Sequence, residues 1–371
     1  MRAGAGRGNG VRRDEMRAGG SVRARAGRPT LATVAASAGV SVATVSKVLN
    51  GHGDVAAATR AHVQTVLREQ EYVAPTPRRA SGAVQSVEVL FDADLNPYST
   101  EILQGVLDAA TDARVEVGVG LRGLPRGGAG RATTWARGLA SAGRRALIAV
   151  TSELTAAHLA ALSRTHVSLV VIDPLNLPQG GVASVGSTNF AGGVAATEHL
   201  LALGHRRIGY VGGPAAAACD QARRHGYLAA MGAAGATVPT EYVRDGRFRY
   251  PDGVTGGGAL LDLAQLPTAI FAGSDEMALG VMEAARLRGL RIPDDLSLVG
   301  FDDTQLAPMV SPPLTTVRQP LREMGSVALR TALRLAAGER LDSHHVELAT
   351  ELVVRESTAA ASRAPALTGS A

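Results

Sequence analysis

The sequence predicts two architectures in one chain: a small all-α unit near the N-terminus, then an α/β core of two lobes built on parallel sheets. Three observations lead there. The segment from Thr30 to Asn50, TLATVAASAGVSVATVSKVLN, reads as two short helices joined by a tight turn. From Val87 onward, short β-branched runs alternate with Ala/Leu-rich helical stretches, the pattern of a parallel sheet covered on both faces. The charge is uneven: residues 1–86 hold 13 Lys/Arg against 5 Asp/Glu, and the remainder 25 against 28. A basic head on a mildly acidic body is the balance of a nucleic-acid-binding end attached to something else.

Composition places the boundaries. Residues 1–28 are Gly, Arg and Ala with little to bury, and are expected to be a disordered basic tail. Met16 is an alternative start within it. Residues 29–74 are expected to form the helical unit, and 75–86, PTPRRASGAVQS, a linker. Residues 87–356, long enough for two α/β lobes, form the core, and 357–371, rich in Ala, Ser and Pro, a second disordered tail.

Within the helical unit, Thr30 stands where it caps a first helix, with Val34 and Ala35 turned inward. Gly39 permits the turn, Val40 plugs the space between helices, and Ser41 caps the second helix. The inner face of that helix is Val45, Val48 and Leu49, which leaves Val42, Ala43, Thr44, Ser46 and Lys47 outward. A third helix over 57–70 closes the core with Val63, Val66 and Leu67. This is a helix-turn-helix arrangement whose second helix presents its first turns to base edges.

In the core, the apolar runs are VEVLF (87–91), VEVGVG (115–120), ALIAV (146–150), SLVVID (168–173), RIGYVGG (207–213), TAIFAG (268–273) and LSLVGFDD (296–303). Open parallel sheets bind ligands beyond the carboxyl ends of their strands. Asp173, Ser274, Asp275, Asp302 and Asp303 stand at those ends. Asp92, Asp94, Asn96 and Tyr98 follow the first strand. Carboxylates at several strand tips, with an arginine nearby, suit a polyhydroxyl ligand, because carboxylate and guanidinium each bind two adjacent hydroxyls. Asp275 is expected to cap the helix after it rather than touch ligand, and Asp303 to serve a turn.

The run GRPTLATVAASAGVSVATVSKVLNG, with TR at 59–60 and YVAP at 72–75, resembles the DNA-binding headpiece of the LacI/GalR family of transcriptional regulators. The core is similar to that family's periplasmic-binding-protein-like domain through VIDP, HLLALGHRRIGYVGGP, RRHGY, IFAGSDEMALGVMEAARLRGLRIPDDLSLVGFDD and SPPLTTVRQP. The resemblance implies that Val42, Ala43 and Lys47 read bases. Lys47 would donate to guanine, while Val42 would touch a thymine methyl or, with Ala43, only fill space. Thr30, Ser41, Thr44, Asn50 and Thr59 match phosphate-holding positions. It further implies a hinge helix with a leucine wedge, yet the matching position is Ser81, next to Gly82, with Pro77 inside the expected helix. Arg78 and Arg79 would then contact the minor groove or phosphates. By the same resemblance Asp173, Arg223, Phe248, Ser274 and Asp302 are ligand contacts, with Tyr98 a further candidate. Phe248 would stack on a sugar ring, and Ser274 stands where Asn is commoner.

The resemblance also implies a homodimer on near-palindromic operator DNA, most simply a repressor controlled by a mono- or disaccharide. A purine-type corepressor-dependent regulator and a sugar-binding transport protein are the alternatives. The first would favour more aromatic residues than the 3% present; the second would call for a secretion signal. Nothing resembles a Ser-His-Asp order, a Walker loop or a dinucleotide fingerprint, so no enzyme is expected. No cofactor or metal is expected either: His344 and His345 read as a solvated turn. Cys219, the one cysteine, excludes an internal disulfide and reads as small filler near the ligand. With no apolar run of about 18 residues, no membrane contact is expected, and the expected compartment is the cytoplasm.

Overall fold

The computed structural model describes residues 30–49, 55–70, 72, 86–92, 95–176 and 181–361. The expected tail at 1–28, Asn50, Arg78, Arg79 and the Ser81 position lie outside these residues. The chain divides into two compact units between Ala83 and Val84, and each is described by itself.

The first unit is three helices: α1 (Leu31–Ser37), α2 (Val42–Leu49) and α3 (Ala57–Glu69). Thr30 opens α1 through a reciprocal pair of bonds. Its hydroxyl accepts from the Thr33 amide at 3.3 Å, and its own amide donates to the Thr33 hydroxyl at 2.7 Å. Gly39, at φ +61°, turns the chain, and α1 and α2 meet at 105°. Ser41 accepts from the Thr44 amide at 3.1 Å and so caps α2 as expected. Val34, Ala35, Val45, Val48, Val63 and Val66 are buried, with Val40, Leu49, Leu67 and Tyr72 packed around them. This core is made of small side chains, which lets short helices approach closely.

The second unit holds two six-stranded sheets. In lobe 1 the strands are β1 (Ser86–Phe91), β2 (Glu116–Gly120), β3 (Arg144–Val150), β4 (Ser168–Ile172), β5 (Ala183–Ser187) and β11 (His345–Leu348). Their order is β11-β5-β4-β3-β1-β2, and every pairing is parallel. In lobe 2 they are β6 (Ile208–Val211), β7 (Val243–Arg244), β8 (Ala269–Ala272), β9 (Ser297–Asp302), β10 (Thr315–Arg318) and β12 (Glu351–Val353), in the order β12-β10-β9-β8-β6-β7. Lobe 2 departs from the all-parallel expectation at one edge, where β12 runs antiparallel to β10. All seven predicted apolar runs are strands. Helices α4 (Pro97–Ala113), α5 (Ala129–Ser141), α6 (Ala156–Thr165) and α11 (Leu321–Ala336) cover lobe 1. Helices α7 (Asn189–Ala202), α8 (Ala218–Ala233), α9 (Tyr250–Leu261) and α10 (Asp275–Leu287) cover lobe 2.

The chain crosses between lobes three times: from β5 to α7, from β10 to α11 and from β11 to β12. The crossings are stitched to one another. The Thr188 amide donates to the Leu348 carbonyl at 2.9 Å, the Thr188 and Thr350 hydroxyls are 3.0 Å apart, and the Ser187 hydroxyl donates to Gln319 Oε1 at 2.6 Å.

Three of the helix pairs pack through reciprocal glycines. Between α7 and α8, a β-carbon at Gly193 would overlap the Arg223 carbonyl, and one at Gly226 the Phe190 carbonyl. Gly105 and Gly325 do the same for α4 and α11, and Gly253 and Gly280 for α9 and α10. The backbones therefore lie closer than any side chain would permit.

Two expectations need correction. Residues 357–361 do not belong to a tail. Ser357 is fully buried, its hydroxyl donates to the Leu298 carbonyl at 2.6 Å and accepts from the Thr315 amide at 2.8 Å, and Ala361 bonds Leu203. Small hydroxyl residues here satisfy strand-end backbone groups, a role that composition does not reveal. His345 is not in a turn but begins edge strand β11, with Nδ1 2.8 Å from the Ser184 hydroxyl.

Gly193→Ala should destabilise the protein by about 1–3 kcal/mol, because a methyl group meets immobile backbone. Gly232→Ala, on the same pair but with nothing within 4 Å of the new atom, should be neutral or stabilising. Urea unfolding of the two variants checks this; equal midpoints would contradict it.

Candidate functional site

All six predicted ligand residues converge on one cavity between the lobes of the second unit, about 770 Å³ in volume. Lobe 1 supplies Tyr98 and Asp173; lobe 2 supplies Arg223, Phe248, Ser274 and Asp302. The convergence follows from topology. Asp173 directly follows β4, Ser274 follows β8, and Asp302 ends β9, so the carboxyl ends of both sheets open onto the same space.

Arg223 is the centre of the floor. It projects from α8 and is 3% exposed. Its Nε donates to Asn189 Oδ1 at 2.7 Å, and its Nη1 donates to the Gly273 carbonyl at 2.6 Å and lies 3.8 Å from Asp302 Oδ1. The guanidinium stacks 3.9 Å from the Phe301 ring centroid and 5.6 Å from that of Phe248. Burial works against its charge, but the carboxyls of Asp302 and Asp173 beside it raise its proton affinity overall.

The carboxyls around it are held differently. Asp173 accepts from the Tyr98 hydroxyl at 2.7 Å; burial raises its pKa, and Arg223 and Tyr98 oppose the rise. Asp302 accepts from Gln319 Nε2 at 2.6 Å. Burial lifts it to about 7, against the pull of Arg223 and Gln319. Burial, then the neighbouring Asp173, pushes the Tyr98 phenol well above its usual range. The backbone is strained here as well: Asp173 (φ 41°), Asp302 (φ 116°), Phe248 (φ 62°) and Thr151 (φ 46°), all cavity residues, adopt left-handed conformations without being glycine.

Ser274 has a second task. Its hydroxyl accepts from the Met277 amide at 3.2 Å, so Ser274, not Asp275, caps α10. Asp275 is fully buried one residue on. It accepts from the amide and hydroxyl of Thr304 at 2.7 and 3.1 Å and from the Thr316 hydroxyl at 2.5 Å. It anchors the loop after β9 and does not line the cavity, as expected of a residue off the ligand. Asp303, assigned to a turn, takes a left-handed backbone there and binds Arg318 and Arg355 at 2.7 and 2.6 Å. Cys219 lines the cavity, and burial pushes its thiol up to about 12, so it stays protonated.

Asp92 and Asn96, named from the loop after the first strand, line the cavity too. Sequence reasoning missed Gln319 and Asn189, which hold Asp302 and Arg223, and the wall residues Arg126, Thr151, Arg247, Arg249 and Glu276. Gln319 had one available signal: it sits at the end of the quoted SPPLTTVRQP run. Apart from Glu276, in the first turn of α10, the wall residues lie in loops whose course no periodicity predicts.

In the first unit, α2 carries Val42, 47% exposed, with Ala43 and Lys47 exposed beside it. Thr44, half-buried, has its hydroxyl 2.9 Å from that of Ser41. Thr30 is exposed at the start of α1, and Thr59 is half-buried on α3. The short side chains of α2 leave its first turn open to close approach, while its macrodipole favours a phosphate at that end.

Residues 30–74 match the model of bacterial regulatory proteins of the lacI family, and residues 197–358 match that of a periplasmic binding protein-like domain. The HTH-type transcriptional regulator DegA of Bacillus subtilis (strain 168) is 33% identical over 89% of this chain and 98% of its own length. The chain belongs to the LacI family. It is a DNA-binding transcriptional regulator. Among solved structures, the transcriptional regulator CelR–cellobiose complex aligns at 32% identity with a TM-score of 0.66, covering 89% of this chain and all of that one. The lac repressor dimer bound to operator and the anti-inducer ONPF aligns at 28% identity with a TM-score of 0.69, covering 90% of this chain and all of that one.

The raised pKa of Asp302 makes a ligand-free prediction. A carboxyl that is neutral in the fold up to about 7 but ionises near 3.9 when unfolded stabilises the fold fully only at low pH. That contribution falls as pH rises toward 7, by about 1.4 kcal/mol per unit, then levels off. Asp302→Asn, which mimics the neutral form, should match the wild type near pH 4 and exceed it at pH 8. Urea melts across this range check it; a pH-independent difference would contradict it.

Proposed function

We propose that this regulator is a repressor whose operator affinity is set by a mono- or disaccharide bound between the core lobes. The observation that carries the reading is the floor of the cavity. Two strand-tip carboxyls from different lobes, Asp173 and Asp302, flank one guanidinium, with Tyr98 and Phe248 as aromatic walls. Vicinal hydroxyls pair with such groups, and an aromatic face covers the apolar side of a sugar ring. The CelR–cellobiose complex supports a sugar of one or two rings.

The route from ligand to DNA starts at Asp302. Its carboxyl holds Gln319 Nε2, Gln319 Oε1 accepts from Ser187, and both partners sit at lobe crossings. A ligand hydroxyl that takes over Asp302 changes what Gln319 can hold, so the angle between lobes becomes a function of occupancy. The ligand must bind two lobe arrangements unequally, and the same coupling energy then appears in operator affinity.

On the DNA side, the chain acts in the cytoplasm as a homodimer, each headpiece reading one half of a near-palindromic site. Val42, Ala43 and Lys47 read bases, and Thr30, Ser41, Thr44, Asn50 and Thr59 hold phosphates. Arg78 and Arg79 engage the backbone or minor groove in place of a leucine wedge.

The test uses the full chain and an operator selected from random duplexes. A sugar that binds the wild type should weaken operator binding about tenfold or more, in the usual range of coupling energies. Asp302→Asn should bind the same operator with the ligand response lost. A variant that responds like the wild type would remove Asp302 from the mechanism; tightening of the operator by ligand would reverse the sign to corepression.

A further inference from the structure

The cavity has a second chemical character at its rim that a neutral sugar leaves unused. Three arginines line it there: Arg126 from the lobe 1 loop between β2 and α5, and Arg247 and Arg249 from the lobe 2 segment before α9. Arg126 is exposed and makes no ion pair with any described residue. Arg247 is 78% exposed and holds Asp252 at 3.2 Å, which leaves donors of its fork unused. Arg249 reaches Glu276 only at 4.0 Å.

Arg126 is presented by a built loop. Leu124 is buried, the Gly123 amide donates to the Phe91 carbonyl at 2.9 Å, and the Pro125 carbonyl lies 3.0 Å from Nε2 of buried His158, which donates to it. Trp135 packs edge-on against that imidazole at 6.0 Å. The backbone leading into Arg126 is therefore tied down, and the guanidinium is carried to the cavity at the edge of lobe 1. Arg247 and Arg249 stand on the other lobe, so an anion held by both sets spans the cleft.

The interior has the complementary chemistry. Asp173, Asp302 and Glu276 are acceptors, and Glu276 Oε2 is buried without a hydrogen-bond partner among the described residues. Acceptors inside call for hydroxyl donors; guanidinium forks at the rim call for anionic oxygens. A volume of about 770 Å³ takes a ligand of more than one ring or a ring with a substituent.

We propose that the effector is an acidic saccharide, with its hydroxyls on the floor and a phosphate or carboxylate held at the rim by Arg126, Arg247 and Arg249. This rests on the sugar reading above and narrows it. Carboxylate and phosphate present the same oxygen pair to a guanidinium, so the chemistry is shared and the two sources are separated by experiment.

Calorimetry on the full chain compares matched probes: glucose with gluconate and glucose 6-phosphate, cellobiose with cellobionate, and inorganic phosphate alone. At least one acid should bind about tenfold more tightly than its neutral partner, the gain from one or two charge-assisted bonds. Gluconate or cellobionate winning identifies a carboxylate; glucose 6-phosphate winning identifies a phosphate. The preference should shrink toward unity in Arg126→Gln and in Arg249→Gln, and fall with added salt because Arg126 and Arg247 are exposed. Neutral sugars binding as well as the acids would overturn the rim assignment and leave the sugar reading standing. A preference unchanged in both variants would also overturn it. Inorganic phosphate matching the best acid would replace the saccharide with a bare anion. No heat from any probe would overturn this proposal and the sugar reading together.

Discussion

One buried guanidinium organises the floor of the ligand cavity. Arg223 is almost fully enclosed and faces Asp302 from its own lobe and Asp173 from the other. A lone buried carboxylate is expensive, and two are worse. A planar cation with several donors lets them share one positive charge, while Phe301 covers its face. Its position is set by backbone rather than by side chains. Gly193 and Gly226 let α7 and α8 close to contact at the level of Arg223, which brings Asn189 within 2.7 Å of its Nε. The glycine contact is thus part of the site, although neither glycine lines the cavity.

The carboxyls that depend on Arg223 connect to the joints of the core. Asp302 reaches Gln319, Gln319 reaches Ser187, and Thr188 next door is tied to Leu348 and Thr350. All three crossings are therefore within a few hydrogen bonds of a cavity residue. The left-handed backbones of Asp173, Asp302, Phe248 and Thr151 mark the same region as strained. Such strain persists where surrounding contacts over-determine it, and a ligand that alters those contacts acts on a poised element.

Much of this was legible in the sequence for physical reasons that differ by element. Strands such as ALIAV and TAIFAG are buried on both faces, so their apolar runs stand out. The headpiece was legible because capping residues, turn glycine and inward valines agree. Strands β5, β7, β10, β11 and β12 were not, being short or made of small and polar residues such as ASVGS and HVEL. Of the six residues expected to meet ligand, which the structure gathers at one cavity, Asp173, Arg223, Ser274 and Asp302 stood at strand tips or in quoted motifs, Tyr98 stood in the loop after the first strand, and Phe248 came from the family resemblance alone. The cap of α10 fell to Ser274 rather than Asp275 because either side chain can cap a helix, and only the backbone decides which one stands at the N-cap. Gln319 and Arg126 escaped because their neighbours come from remote parts of the chain.

The central claim is that the charge of Arg223 sets the protonation of the cavity floor. Carbon-detected NMR of aspartate carboxyls in the full chain tests it directly, in the wild type and in Arg223→Met. The account predicts one wild-type aspartate titrating near pH 7, and in the variant a further rise, with at least one floor carboxyl neutral above that pH. Aspartates that all titrate at ordinary values near pH 4 in the wild type, or a titration unchanged by the substitution, would contradict it.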